Sequence, residues 1–186
     1  MFFFCGCSKT DIDKAAIVDS VFVTKGDGGY VFNFNTIENE NPSVLPRYSI
    51  TESSLSSAKQ SLESFAVPYL SLTQTECIVF SDDFDLSGVC DCLEYYFKDY
   101  ECTPYTKIAF ATNDAMEELL NKDVPTSRVI ELCNLVKTDS PLAAVNIYSF
   151  YNSVISEDNQ EAPVALLYSN DQLNVKTTVF NSDSEK

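Results

Sequence analysis

The side chain with the clearest chemical assignment in this sequence is the thiol of Cys7. Residues 2–5 read Phe-Phe-Phe-Cys, Gly6 is small, and the chain turns polar at once with Ser8-Lys9-Thr10-Asp11. An apolar stub, a small residue, a cysteine and an abrupt polar switch have the form of a bacterial lipoprotein signal. There the cysteine receives the lipid and becomes the first residue of the mature protein. On this reading Cys7 is a lipid anchor and all that follows sits outside the cytoplasmic membrane. A secretory apolar region needs about 7–15 residues behind a basic segment, so Met1 is expected to be an internal start with the signal proper upstream. The competing reading is a buried first strand beginning Phe2-Phe3-Phe4.

Two other constellations could do chemistry. Asp82, Asp83 and Asp85 form an acidic triplet that could hold a cation. Hard cations, however, take six or more oxygens in a shaped loop, whereas carboxylates just before a helix satisfy its free N–H groups and oppose its dipole. The helix-cap role is the expectation. Cys90-Asp-Cys92 suggests a thiolate metal site, but residues two apart do not share a helix face, and the spacing of structural zinc sites is absent. The chain has no histidine, which removes Ser-His and Cys-His catalysis. A pair of carboxylates across a cleft is the remaining route to an enzyme. The expectation is no catalytic residue, no metal and no cofactor.

The elements that must position these residues follow from hydrophobic periodicity. Residues 16–23 are β-branched and aromatic and suit a half-buried strand. After Lys25-Gly26-Asp27-Gly28-Gly29, apolar Tyr30, Phe32 and Phe34 alternate with Val31, Asn33 and Asn35. Two such runs around a glycine-rich turn predict an antiparallel hairpin. Residues 38–47 read as a polar loop. Leu55, Ala58, Leu62 and Phe65 then mark one helix face, ended by Pro68. Residues 76–80 predict a buried strand, and Leu86, Val89, Cys90, Leu93, Tyr96 and Phe97 a second helix. Residues 107–111 are another strand, after which Asp114 and Glu117 have capping-box spacing. Pro125 opens a helix with Val129, Leu132, Cys133 and Val136 on its apolar stripe. Ile147, Phe150, Tyr151 and Val154 make the last stripe. Residues 163–168 and 173–180 predict a closing hairpin. The order β-β-α-β-α-β-α-α-α-β-β gives an α/β (mixed α+β) domain over 16–180, with a signal remnant and tether at 1–15 and a polar tail at 181–186.

A 186-residue chain with 45% hydrophobic residues can build a core for one domain. Its net charge of −16 opposes binding to nucleic acid, which needs a basic surface. No stretch approaches the roughly 20 apolar residues of a membrane span. The cysteines beyond Cys7 lie among apolar neighbours and are expected to be buried free thiols.

Several segments together resemble the N-terminal domain of the Ger(x)C family, the lipoprotein C-subunits of nutrient germinant receptors in endospore-forming bacteria. They are Gly6-Cys7, Ala16-Ile17-Val18, Tyr30-Val31-Phe32, Lys98-Asp99-Tyr100, Val145 to Phe150, and Lys176-Thr177-Thr178-Val179-Phe180. The family's Trp-Asp pair after the lipidated cysteine is replaced by Ser8-Lys9, and Leu72-Thr73-Gln74-Thr75 stands where the family has a histidine. The family continues for about two further domains of ordinary size. The chain is therefore expected to be a truncated copy, one part of a split gene or a stand-alone domain. The resemblance implies a non-enzymatic, lipid-anchored subunit on the outer face of the spore inner membrane, working by protein–protein contact with integral membrane receptor subunits. A solute-binding lipoprotein, whose acidic surface steers a small ligand, is the alternative.

Overall fold

The computed structural model describes residues 15–37, 46–98, 103, 105–122, 124–135, 146–155 and 161–181. Cys7, and with it the anchor assignment, lies outside the described residues, as do the polar tail from 182, Val136 and Val145.

The apolar run at the start of the domain becomes β1 (Ala15–Gly26), which pairs antiparallel with β2 (Gly29–Thr36) through a two-residue turn at Asp27-Gly28. Gly28 takes φ +85°, a value that favours glycine. β2 in turn pairs with β3 (Arg47–Glu52), and α1 (Leu55–Phe65) follows, capped by the Ser54 hydroxyl accepting from the Ser57 N–H at 3.1 Å. Next come β4 (Tyr69–Ser71), β5 (Cys77–Ser81), α2 (Leu86–Lys98) and β6 (Lys107–Ala111). Three helices separate β6 from β7: α3 (Asn113–Asn121), α4 (Thr126–Leu135) and α5 (Ile147–Ile155). The closing hairpin is β7 (Glu161–Ser169) with β8 (Leu173–Asn181), antiparallel as expected.

The eight strands form one mixed sheet in the order β3-β2-β1-β5-β6-β7-β8, with β4 beside the first three residues of β1. β1, β5, β6 and β7 are parallel, so the sheet has a start end, where these strands begin, and a finish end. Alternation along the strands divides the core in two. Val21, Val23, Phe32, Phe34, Ile78, Phe80, Ile108 and Phe110 face one side, where α1, α2 and α5 cover them. Phe22, Cys77, Val79, Ala109 and Ala111 face the other, under α3 and α4. β1 is thus buried on both faces, not half-buried as its composition suggests, because helices flank a parallel centre on both sides.

The second face carries a buried polar chain. The register of β1 against β2 shifts between Val18 and Ser20, a bulge at Asp19. Beside it the Ser20 and Thr126 hydroxyls lie 2.8 Å apart, and the Asn35 amide donates to Ser20 at 2.9 Å. The Arg47 Nε donates to the Asn35 Oδ1, and its two terminal nitrogens reach the carbonyls of Leu119 and Leu120. A guanidinium on the last carbonyls of α3 also complements the helix dipole. The polar chain as a whole links five elements, β1, β2, β3, α3 and α4.

α4 crosses the strands. Its Thr126 bonds Ser20 on β1, while its Asn134 accepts from the Lys107 ammonium on β6. Ser20, Cys77 and Lys107 are neighbours in register across β1, β5 and β6. Eight helical residues span about 12 Å, close to the roughly 9.5 Å of two strand spacings.

Three expectations need correction. Arg47, read as loop, begins β3, whose Tyr48 and Ile50 alternate as a strand requires. β4 was invisible because three residues after Pro68 carry no periodicity. The cap of α3 is Thr112, whose hydroxyl accepts from the Ala115 N–H, and not Asp114. Asp114 instead occupies the first turn, where a carboxylate complements the dipole.

Arg47→Ala is expected to cost about 2–3 kcal/mol in urea unfolding, since it strands Asn35 and two helix-end carbonyls. Arg47→Lys, which keeps the charge and loses the planar fork, should recover only a minor part.

Candidate functional site

The finish end of parallel strands is where open α/β sheets usually bind ligands, and the acidic triplet stands there. Its groups are engaged internally. The Asp85 carboxylate accepts from the Gly88 N–H at 2.7 Å at the head of α2, as a cap should. The Asp83 carboxylate accepts from Ser81, and its carbonyl from the Lys25 ammonium at 2.6 Å. Burial, and then the neighbouring Asp83, push the Asp82 carboxyl above its ordinary value. Among the described residues no group of three His, Cys, Asp or Glu side chains could hold a metal ion. A hollow of about 220 Å³ lies beside α3, between Asp114, Glu117 and Ser169. There the Ser169 hydroxyl bonds Glu118, which this contact holds below the usual carboxylate range, with Lys122 assisting.

A larger hollow of about 470 Å³ opens at the start end, lined by Thr75, Glu76, Tyr105, Thr106, Lys107 and others. Its inner hydroxyls are already committed. Thr106 donates to the Thr75 carbonyl at 2.8 Å and Thr75 to the Val18 carbonyl at 3.4 Å, ties that hold the β5 and β6 entrances to β1. Lys107 is tied to Asn134. The hollow is a by-product of these links more than a cradle of convergent donors.

Cys77, Cys92 and Cys133 are buried, Cys90 is half-buried, and all four are free thiols. Burial, and then Asp91, push Cys92 up to about 12, and burial pushes Cys133 up to about 11. Burial raises Cys77 and Cys90 too. A nucleophilic or metal-binding thiol needs the opposite shift, and Cys77, Cys92 and Cys133 lie among the core side chains.

The start end differs in what it exposes. The large hydrophobic side chains that stand in solvent among the described residues are Ile37, Phe65, Tyr105, Leu135, Tyr148 and Val179. The topology brings all of them to this end. The Ile37 N–H bonds Ile17 near the beginning of β1, and Phe65 ends α1 just before β4 meets that same strand. Tyr105 stands two residues before β6, and Leu135 follows the Asn134 that bonds its first residue. Tyr148 follows Asn146, which bridges to Lys107, and Val179 pairs with Pro163 early in β7. Phe65 shares a helical stripe with Ala58 and was expected in the core, yet at the last position of α1 it is 72% exposed. Periodicity reports which face a residue takes and is blind to where the covering strands stop.

Residues 8–168 match a family described as the spore germination protein N-terminal domain. The chain belongs to that family. The expected kinship is thereby shown, and so is the mixed α/β architecture, with eight strands in one sheet and helices on both faces. No curated protein and no solved structure matches. In this spore germination domain no described helix is long and apolar enough to cross a membrane.

The raised thiols make stability fall on the alkaline side. A group whose folded pKa exceeds its unfolded value contributes fully below the unfolded value, here 9.0, and loses that contribution as pH climbs through the folded one. Urea unfolding is expected to give a plateau below pH 9.0 and a decline towards pH 12, shallower in Cys92→Ala. In alkylation mapped by mass spectrometry, Cys90 should be modified before Cys77, Cys92 and Cys133.

Proposed function

We propose that the chain is a non-enzymatic, lipid-anchored subunit or accessory protein of a nutrient germinant receptor, working by protein–protein contact with integral membrane subunits at the outer face of the spore inner membrane. The observation that carries this reading is positional. The spore germination domain match begins at Ser8, directly after Gly6-Cys7. A cysteine that takes a lipid would thus sit at the head of the folded domain, with the body held outside the bilayer.

The distribution of chemistry supports a contact role. The acidic groups at the finish end cap helices and bind neighbouring hydroxyls, and Cys77, Cys92 and Cys133 are packed in the core. What the domain offers to its surroundings is surface: acidic at one end, apolar at the other.

In an endospore-forming host fed a labelled fatty acid, the full chain is expected to carry the label and to sediment with membranes. Cys7→Ser should lose both while keeping its fold by circular dichroism. Undiminished label on Cys7→Ser would remove Cys7 as the anchor.

A further inference from the structure

From the clustering of exposed apolar side chains at one end of the sheet, we propose that the start end is a bilayer-docking surface, with Phe65, Tyr105, Leu135 and Tyr148 seated in the headgroup region of the membrane that carries the chain. This rests on the lipid-anchor reading of Cys7 and adds to it an orientation and a second, non-covalent membrane contact.

Three independent observations point the same way. The first is the placement of the exposed hydrophobics. Phe65, Tyr105, Leu135 and Tyr148 are 57–74% exposed, and all stand at the start end on both faces of the sheet. Scattered single hydrophobics are ordinary on protein surfaces, but their confinement to one end is not. Two of the four are tyrosines, whose apolar ring and polar tip suit a membrane interface.

The second is the tether. β1 begins at the start end with Ala15, and residues 8–14 separate it from Cys7. Eight chain steps reach at most about 28 Å. β1 itself runs about 36 Å from Ala15 to the finish end, at roughly 3.3 Å per residue. A lipid at Cys7 therefore holds the start end within reach of the headgroups, and the finish end cannot swing down on that leash with the strand inverted.

The third is charge. Of the eight described basic side chains, Arg47, Lys98, Lys107, Lys122 and Arg128 lie at the start end. There Glu94 pairs with Lys98, Glu118 with Lys122 and Glu131 with Arg128, and Asp19, Glu63 and Glu76 stand at the same end. The finish end gathers Asp27, Asp82, Asp83, Asp85, Asp114 and Asp171, with Lys25 among them. Presenting that end to a phosphate-bearing surface would be repulsive, whereas at the start end the described acidic side chains are largely offset by five basic ones.

The absence of tryptophan from the chain provides a clean test. Tyr105→Trp places a single reporter at the start end on a 74% exposed site, and Tyr168→Trp places one near the end of β7 on the finish side. Each full chain is attached through an N-terminal histidine tag to phosphatidylcholine vesicles doped with a nickel-chelating lipid, with or without brominated phosphatidylcholine. The expected result is a blue shift and loss of most emission by bromine quenching for Tyr105→Trp, with Tyr168→Trp unchanged. Adding Phe65→Ser and Tyr148→Ser to the first reporter should return its emission toward the aqueous value.

Equal quenching of both reporters, quenching of Tyr168→Trp alone, or quenching of neither would overturn the proposal. So would a Tyr105→Trp reporter that shifts only when membranes containing the receptor's integral subunits replace pure lipid, since the occupant would then be protein. Because the tag supplies the tether, these outcomes do not depend on Cys7. Failure of the anchor reading would show separately, in the fatty-acid labelling of Cys7→Ser.

Discussion

The fold hangs on the need to satisfy both edges of one long strand that is buried over most of its length. β1 spans twelve residues, and from Ala15 to Val23 its side chains are buried or half-buried on both faces of the sheet, so the backbone groups along that stretch must find partners within the protein. β2 supplies one edge. The other is shared, first by β4 at Ala15 to Ile17 and then by β5 from Ser20 onward. The bulge at Asp19 marks the changeover, and there the Asp19 carbonyl accepts from the Glu76 N–H at 2.8 Å. The polar chain Ser20–Asn35–Arg47 grows from the same place, because a bulge aims a polar side chain at a helix that can use it.

The two faces of the sheet solve the packing problem differently. Phe80 and Phe110 on one face belong to an aromatic seam that continues through Phe84, Phe150 and Phe180, with centroids 4.9–6.2 Å apart. On the other face the same strands present Cys77, Ala109 and Ala111, and these small side chains let α3 and α4 approach closely. Small residues beneath α4 also let it lie across the strands, with its ends held by Ser20 and Lys107. Large rings hold distance, alanines permit proximity, and alternation along two short strands writes both into ten residues.

For a spore germination domain, this construction separates the ends of the molecule. Loops at the finish end are stitched by caps and hydrogen bonds around acidic side chains, leaving a strongly negative rim. At the start end Phe65 closes α1 and Leu135 closes α4, so apolar residues generated by regular periodicity are left uncovered. We regard this asymmetry as the main structural support for a protein that works through surfaces.

Much of this was legible in the residues. The hairpins around Asp27-Gly28 and Asn170-Asp171, the strand over 107–111 and the carboxylate cap at Asp85 follow from local chemistry, which is decided within a few residues. So does the membership implied by Ala16-Ile17-Val18 and Tyr30-Val31-Phe32, since a family pattern is itself a linear signal. β4, the bulge, the reach of Arg47 to α3 and the exposure of Phe65 could not be read that way. Each depends on residues far apart in the chain arriving at one place, and on where the neighbouring strands end. The sequence by itself settled which side chains are apolar and with what period. Only the tertiary structure decided which of them are covered, because burial is a property of the partner as much as of the residue.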